Sequence, residues 1–375
     1  MQIAVDTRML RSGKLDGIGR FAHEILSRVV QAHPEHQFHF FFDRPFDKRY
    51  IYAPNVKART LFPRAMHPLL FRMWYDLSFP KAAKRAGCEV MVCPGPLAST
   101  QPGMPQLTVL HDLNFVHHPG DMPKVIGNYY RKYTPRFVQA SDRLATVSEF
   151  SKRDISQTYS YDLSRIAVIP NAAASGYKPH DEAEIQNIRN EVSQGAPYFL
   201  FVSTICPRKN LNRLLQAYES FRLANKQHIK MLVVGDAFWR DAAIEKTLKS
   251  MQFKNDVLFL GHQNASQIVR ITAAAFALTY VSYFEGFGIP LLEAFQSGVP
   301  VIAGDATALP EVAGGAALLA NPFSVEDISN AMQRIATEAT LRDELIHSGL
   351  RRAQEFSWDR SAEKFLEAIV HTLHA

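Results

Sequence analysis

The chain has 375 residues, 47% of them hydrophobic and 21% charged, enough for two domains with a core each and unlike a disordered chain. No stretch of 18 apolar residues is present and "MQIAVDTRML" lacks the charged and apolar regions of a secretion signal, which argues against a spanning helix and an exported chain. The net charge is +6, and the three cysteines, Cys88, Cys93 and Cys206, are odd in number and scattered, which disfavours a disulfide framework and places the expected location in the cytoplasm.

Strand-like and helical patterns alternate from the start, which predicts parallel sheets covered by helices. "QIAV" opens, and a helix follows from about Arg20 to Gln31. Before it lies "DGIGRFA", where Gly17, Gly19 and Ala22 match the G-x-G-x-x-A dinucleotide pattern and Asp43 follows the next strand, "FHFFF". Ten residues, Thr7 to Asp16, separate the first strand from Gly17, too many for a dinucleotide turn. A glycine loop over a cleft, touching acceptor or diphosphate, fits better than a nicotinamide-dependent oxidoreductase.

Residues 57–85 carry seven basic residues (Lys57, Arg59, Arg64, Arg72, Lys81, Lys84 and Arg85) against one acid, Asp76. Phe62, Leu69, Leu70, Phe71, Trp74 and Tyr75 lie among them. One reading is an amphipathic helix whose apolar stripe is core; the other is a surface that meets anionic lipid. Nucleic acid is not expected as a partner. The strands "EVMVC", "QLTVLHD", "RLATVS" and "IAVIPN" follow. "LHD" puts His111 and Asp112 at a strand end, where His111 can hydrogen-bond a sugar hydroxyl or phosphate. His117 and His118 are adjacent and point in different directions, so no metal site is expected there.

The alternation lapses between about Ala172 and Pro197, and the domain boundary is placed near 178. It restarts with "YFLFVS", "KMLVVGD", "DVLFLG", "FALTYVS", "VPVIAG" and "AALLA". Domains of 1–178 and 179–358 are expected, with a closing helix over 359–375. After "YFLFVS" comes "STICPRKNL", where Arg208 can fork onto phosphate oxygens and Lys209 supplies a compact charge. Cys206 beside these cations invites thiolate character. After "FALTYVS" comes "EGFGIPLLE". Glu285 lies just past the strand's carboxyl end, where ligands bind in such sheets. Pro290 suits a first helical position, so Gly288 and Ile289 mark a helix start with free amides for an anion. Glu293 is expected in the first turn. No two aspartates are two residues apart, so no Asp-x-Asp metal clamp is available and protein groups must meet phosphate charge.

These pieces resemble glycosyltransferase family 4, the retaining, metal-independent nucleotide-sugar transferases of the GT-B fold. The most specific element is "EGFGIPLLE", two glutamates flanking seven residues; "GIGRF", "LHD", "TVSEFSK", "VIPN", "PRKNL" and "LPEVAG" fall in the family's order. The resemblance implies two Rossmann-like open parallel sheets facing across a cleft. It implies that Glu293 binds the donor ribose and Glu285 the transferred sugar, with the amides around Phe287, Gly288 and Ile289 on sugar and diphosphate. Arg208 and Lys209 neutralise the diphosphate, His111 lies near the sugar, and Gly17, Ile18 and Gly19 close over the phosphates. Among relatives the "DTR…GIGR" opening and "PRKN" loop look like bacterial polysaccharide mannosyltransferases. That implies a nucleotide diphosphate sugar donor, with GDP-mannose a candidate, and a glycan or lipid-linked acceptor. No further cofactor is implied, and the inner face of the membrane is a fitting place of work. Ser203, Thr204 and Cys206 depart from the glycine, arginine and acid that members carry there, so the phosphate site leans on Arg208 and Lys209.

Two other classes remain open at this stage. A glycoside hydrolase could use Glu285 and Glu293 as its acid pair, and a basic surface-binding protein would need no chemistry. No carboxylate is placed as a covalent nucleophile, so transfer with retention is expected by a front-face route.

Overall fold

The computed structural model describes residues 1–13, 15–236 and 242–374. Two compact units divide the chain, one of residues 1–171 with 357–375, the other of residues 172–356. The first holds a seven-stranded sheet of β1 (Gln2–Asp6), β2 (Gln37–Phe42), β3 (Val56–Thr60), β4 (Val90–Cys93), β5 (Gln106–Val109), β6 (Arg143–Thr146) and β7 (Ile166–Val168), in the order β3-β2-β1-β4-β5-β6-β7. The second holds β8 (Tyr198–Val202), β9 (Lys230–Val234), β10 (Val257–Gly261), β11 (Ala277–Tyr280), β12 (Val301–Gly304) and β13 (Leu318–Ala320), in the order β10-β9-β8-β11-β12-β13. Every pairing is parallel. Each unit is thus a Rossmann-like open sheet of the kind that makes up the GT-B fold.

The central strands are buried on both faces, which is why they read as near-continuous apolar runs such as "YFLFV" and "VMVC". In each sheet the chain order reverses once, between β1 and β4 and between β8 and β11. Loops leaving such neighbouring strands in opposite directions open a crevice at their carboxyl ends, the general ligand position in these sheets.

The boundary falls after Asn171, seven residues ahead of the expected 178. The last helix, Trp358–Leu373, belongs to the first unit, where Trp358 and Phe365 pack edge-on against Phe21 and Asp359 pairs with Arg28 at 2.7 Å. Ala375, the end of the expected closing helix, lies outside the described residues.

Residues 57–85 do not form one amphipathic helix. They begin in the edge strand β3, continue through the helix Pro68–Met73 and a π turn at Trp74–Ser78, and end in the helix Phe79–Arg85. Trp74, Tyr75 and Phe79 are buried, whereas Phe62, Met66, Leu69, Met73 and Leu77 are exposed. All seven basic residues of the window are exposed beside them. One apolar set of the segment thus builds core, and a second faces solvent. Among the described residues no helix is long and apolar enough to cross a membrane.

Candidate functional site

The loop after β8 and the loop after β11 meet at the reversal point of the second sheet. Pro207–Lys209 forms a single 3-10 turn, and Asn210 follows in the left-handed region at φ 63°. Asparagine tolerates that conformation. Its side-chain amide donates to the carbonyls of Val281 at 3.0 Å and Pro322 at 2.6 Å, which pins the turn against the end of β11. The Tyr283 amide donates to the Arg208 carbonyl at 3.1 Å and completes the clamp.

This clamp brings three of the expected residues into contact. Arg208 Nη1 donates to Glu285 Oε2 at 2.8 Å and to the Phe284 carbonyl at 3.1 Å. Lys209 Nζ donates to Glu285 Oε1 at 2.6 Å and to the hydroxyl of Tyr280, whose ring lies under the ammonium at 4.9 Å. Tyr280 in turn donates to Glu285 Oε1 at 3.1 Å. Glu285 and Lys209 are buried, with 7% and 9% of their side chains exposed, while Arg208 keeps 26%.

The electrostatics follow from that geometry. Burial works against an ionised Glu285, but Arg208, Lys209 and the Lys209 hydrogen bond outweigh it and hold the carboxyl down to about 2. Burial, then the Arg208 charge, presses the Lys209 ammonium below its usual value, and Glu285 pulls it back. Tyr280 is pushed well up by burial and then by Glu285, so it stays a neutral phenol. Burial also raises Cys206 against the pull of both cations, which corrects the expectation of a thiolate.

The two-glutamate loop leads into the helix Ile289–Gln296, which carries Pro at its start and no side-chain cap. Gly288 sits there at φ 107°, and a Cβ would meet Leu309 Cδ2 at 2.6 Å, so only glycine fits. Phe287 is buried edge-on against Phe356 at 5.6 Å, so its side chain is core and only its amide is placed for a ligand. Glu293 is buried at the fifth helical position, in the second turn and not the first as expected. Simple compensation of the first-turn dipole is therefore not its role.

Two contributors were not legible in sequence. Tyr280 links Lys209 to Glu285, and its only hint was a polar tip at the end of an apolar strand. Thr307 accepts the Glu285 amide at 3.0 Å through Oγ1 while standing at φ 56°, a conformation that β-branched residues avoid. No local pattern announces such a residue.

The remaining expected residues lie in the first unit. Gly17, Ile18 and Gly19 are the opening turn of the helix Gly17–Ala32, not a flexible loop. Asp16 caps that helix by accepting from the Gly19 amide at 2.8 Å, and a Cβ on Gly19 would meet the Met9 carbonyl at 2.8 Å. The helix start thus already carries a carboxylate, unlike a dinucleotide turn. Asp43 is no ribose ligand either, being buried and paired with Arg44 at 2.6 Å. His111 donates from Nε2 to the Pro94 carbonyl at 3.2 Å and lies edge-on to Phe21 at 4.9 Å. Burial lowers its pKa, so the ring is neutral and its Nδ1 lone pair can accept a hydroxyl proton. His117 pairs with Asp154 at 2.7 Å.

The chain matches two family models, "Glycosyltransferase Family 4" over residues 15–173 and "Glycosyl transferases group 1" over residues 183–352. O-antigen chain mannosyltransferase B of Escherichia coli is 28% identical over 370 residues, covering 94% of this chain and 96% of the relative. O-antigen chain mannosyltransferase RfbU of Salmonella typhimurium is 26% identical over 290 residues, covering 76% and 75%. Among solved structures, Anabaena HepE in complex with UDP-glucose superimposes with a TM-score of 0.74 at 17% identity, over 99% of this chain and 100% of that one.

Proposed function

As a member of glycosyltransferase family 4 the chain is a glycosyltransferase, and we propose that it moves a hexose, mannose, from a nucleotide diphosphate sugar to a glycan or lipid-linked saccharide in surface polysaccharide synthesis. The observation that carries this reading is the convergence of Arg208, Lys209 and Glu285 at the β8–β11 reversal, beside the uncapped helix start at Gly288. The names of the two mannosyltransferase relatives support mannose, and GDP-mannose is the donor to try first.

In this mechanism the bond between the anomeric carbon and the β-phosphate oxygen breaks, and an acceptor hydroxyl oxygen bonds to the same carbon from the same face. The acceptor proton passes to the departing phosphate. Negative charge grows on that phosphate, and preorganised donors aimed at developing charge are often the largest catalytic term. Arg208, Lys209 and the Gly288–Ile289 amides are the donors of this chain. Two of the three Lys209 protons go to Tyr280 and Glu285, and the third serves a phosphate oxygen. Glu285, held ionised, accepts hydroxyls of the transferred sugar, Glu293 those of the ribose, and His111 accepts from a sugar hydroxyl. These cations take the place of a divalent metal.

A carboxyl held at about 2 is a poor general acid at neutral pH, and glycoside hydrolysis needs an acid whose pKa is raised. Glu285 is therefore unsuited to be the acid of such a pair. The deciding experiment is a thermal-shift series with GDP, UDP and their mannose and glucose conjugates, with and without EDTA. A bound ligand raises the melting temperature by favouring the folded state. A shift with GDP-mannose that EDTA leaves unchanged is expected, together with α-linked product by NMR. No shift with any nucleotide sinks the reading, and a shift lost in EDTA sinks its metal independence.

The exposed residues Phe62, Met66, Leu69, Met73 and Leu77 among seven exposed cations support peripheral contact with an anionic bilayer. Each basic residue near such a surface contributes about 1 kcal/mol. Replacing Arg64, Arg72, Lys84 and Arg85 by glutamine is expected to cut partitioning onto phosphatidylglycerol vesicles at least about tenfold. Equal partitioning of the variant, or none of the wild-type chain, rejects membrane contact.

A further inference from the structure

The turn "HPEH", between the helix Gly17–Ala32 and β2, lies outside the transfer machinery. Its side chains His33, Glu35 and His36 bring one donor atom each within 4.8 Å of the others, and among the described residues no other three histidine, cysteine or acidic side chains converge in this way. We propose that these three residues bind a divalent transition-metal ion of the zinc type, which braces the turn and takes no part in transfer. The proposal goes beyond the transferase reading and does not depend on it.

The backbone of the turn is held in place without an ion. Pro34 suits the second position of a β-turn, and the His36 amide closes that turn on the His33 carbonyl at 3.2 Å. His33 also caps the helix Gly17–Ala32, its amide donating to the Val29 carbonyl at 3.2 Å. Asn55 Nδ2 lies 3.0 Å from the Val30 carbonyl, 3.0 Å from that of His33 and 3.1 Å from that of His36. One side-chain amide thus fixes both histidines, whose rings stack 5.7 Å apart with 14° between their planes.

Glu35 Oε1 stands 3.0 Å from His33 Nδ1 and 3.6 Å from His36 Nε2. Zinc takes imidazole nitrogen and carboxylate oxygen at roughly 2.0–2.2 Å, which sets neighbouring ligand atoms about 3–3.5 Å apart. The spacing is therefore close to that of a coordination shell. Without an ion, a proton between His33 and Glu35 fills the place; an ion displaces that proton to solvent. His36 Nδ1 faces the Met1 nitrogen at 3.5 Å, so Nε2 is the atom turned to Glu35. Two imidazoles and one carboxylate suit zinc, nickel or copper, whereas magnesium and calcium want oxygen ligands. The turn comes just before Gln37, the first residue of β2, and so lies at the amino end of the strand. Ligands of such sheets bind at the carboxyl ends, which makes this ion a brace.

The test adds Zn²⁺ to the metal-stripped whole chain and follows binding by calorimetry and melting temperature by thermal shift. A single ion per chain is expected to bind and to raise the melting temperature, and excess Mg²⁺ is expected not to displace it. His33→Ala with His36→Ala is expected to weaken zinc binding by more than about tenfold while the metal-free melting temperature stays that of wild type, which certifies the fold. Glu35→Gln, at an exposed position, is expected to lose affinity in the same direction and decides alone should the double variant not fold. Zinc bound by the variants as tightly as by wild type, zinc displaced by Mg²⁺, or no binding by the wild-type chain overturns the proposal. Transfer that stops when zinc is stripped overturns the assignment as a brace.

Discussion

Lys209→Ala is expected to lower kcat by roughly 10²–10³ while leaving nucleotide affinity within a few-fold of wild type. Lys209 is held on Tyr280 and Glu285 before any ligand arrives, at 9% exposure, so it reorganises little when charge builds on the leaving phosphate. Water is largely excluded around it, which strengthens its field. Arg208 contributes as well, but at 26% exposure its charge is better screened. Restoring charge with Lys209→Arg is not expected to rescue turnover, because a rigid fork does not fit the place of a compact ammonium among Tyr280, Arg208 and Glu285. Single-turnover kinetics separate the chemical step from binding. Turnover of Lys209→Ala within about threefold of wild type would remove the lysine from the reaction.

The second large effect concerns Glu285 and is one of stability as well as rate. Glu285→Ala leaves Lys209 buried beside Arg208 with the Tyr280 phenol as its side-chain partner, and breaking a buried ion pair by removing one member costs roughly 3–5 kcal/mol. Denaturant unfolding reads the loss directly, and a change below about 1 kcal/mol would show that the pair is not buried as described. The pH dependence supplies an independent check. The folded carboxyl titrates at about 2 against an ordinary value of 4.5, so the stability it contributes is fully present above 4.5 and lost as pH falls towards 2. The difference amounts to roughly 3 kcal/mol. Glu285→Gln is expected to flatten that acid limb. An unchanged acid limb in Glu285→Gln assigns the acid sensitivity to other carboxylates.

Much of the site was readable because its signals are local. A proline at a helix start, glycines where backbone must turn and a strand ending just before a carboxylate obey rules that span a few residues, and the helix Ile289–Gln296 follows them. The same locality misled at Gly17–Gly19, where glycines read as a loop are the first turn of a helix capped by Asp16. It also put Glu293 one turn too early. What stayed hidden involves distant partners. Arg208 and Glu285 stand 77 positions apart, and only the pairing of β8 with β11 makes them neighbours. Thr307 reaches the Glu285 amide from the loop after β12, in a backbone conformation its own sequence disfavours.

The exposed apolar surface of 62–77 gives the plainest case. Phe62 and Phe79 have the same side chain, yet one is 85% exposed and the other buried. Hydrophobicity prescribes that most such residues find cover, but which of them do depends on where β3 and the helices after it leave the sheet.

The chain by itself determined two alternating α/β domains, a doubly acidic glycine loop and a pair of cations on strand tips, because periodicity, turn chemistry and charge are written residue by residue. Only the tertiary structure decided that the cations grip Glu285, that His111 is neutral and that the last helix joins the first unit. Those outcomes depend on strand order and burial, and both arise from contacts between segments whose separation along the chain carries no trace of their meeting.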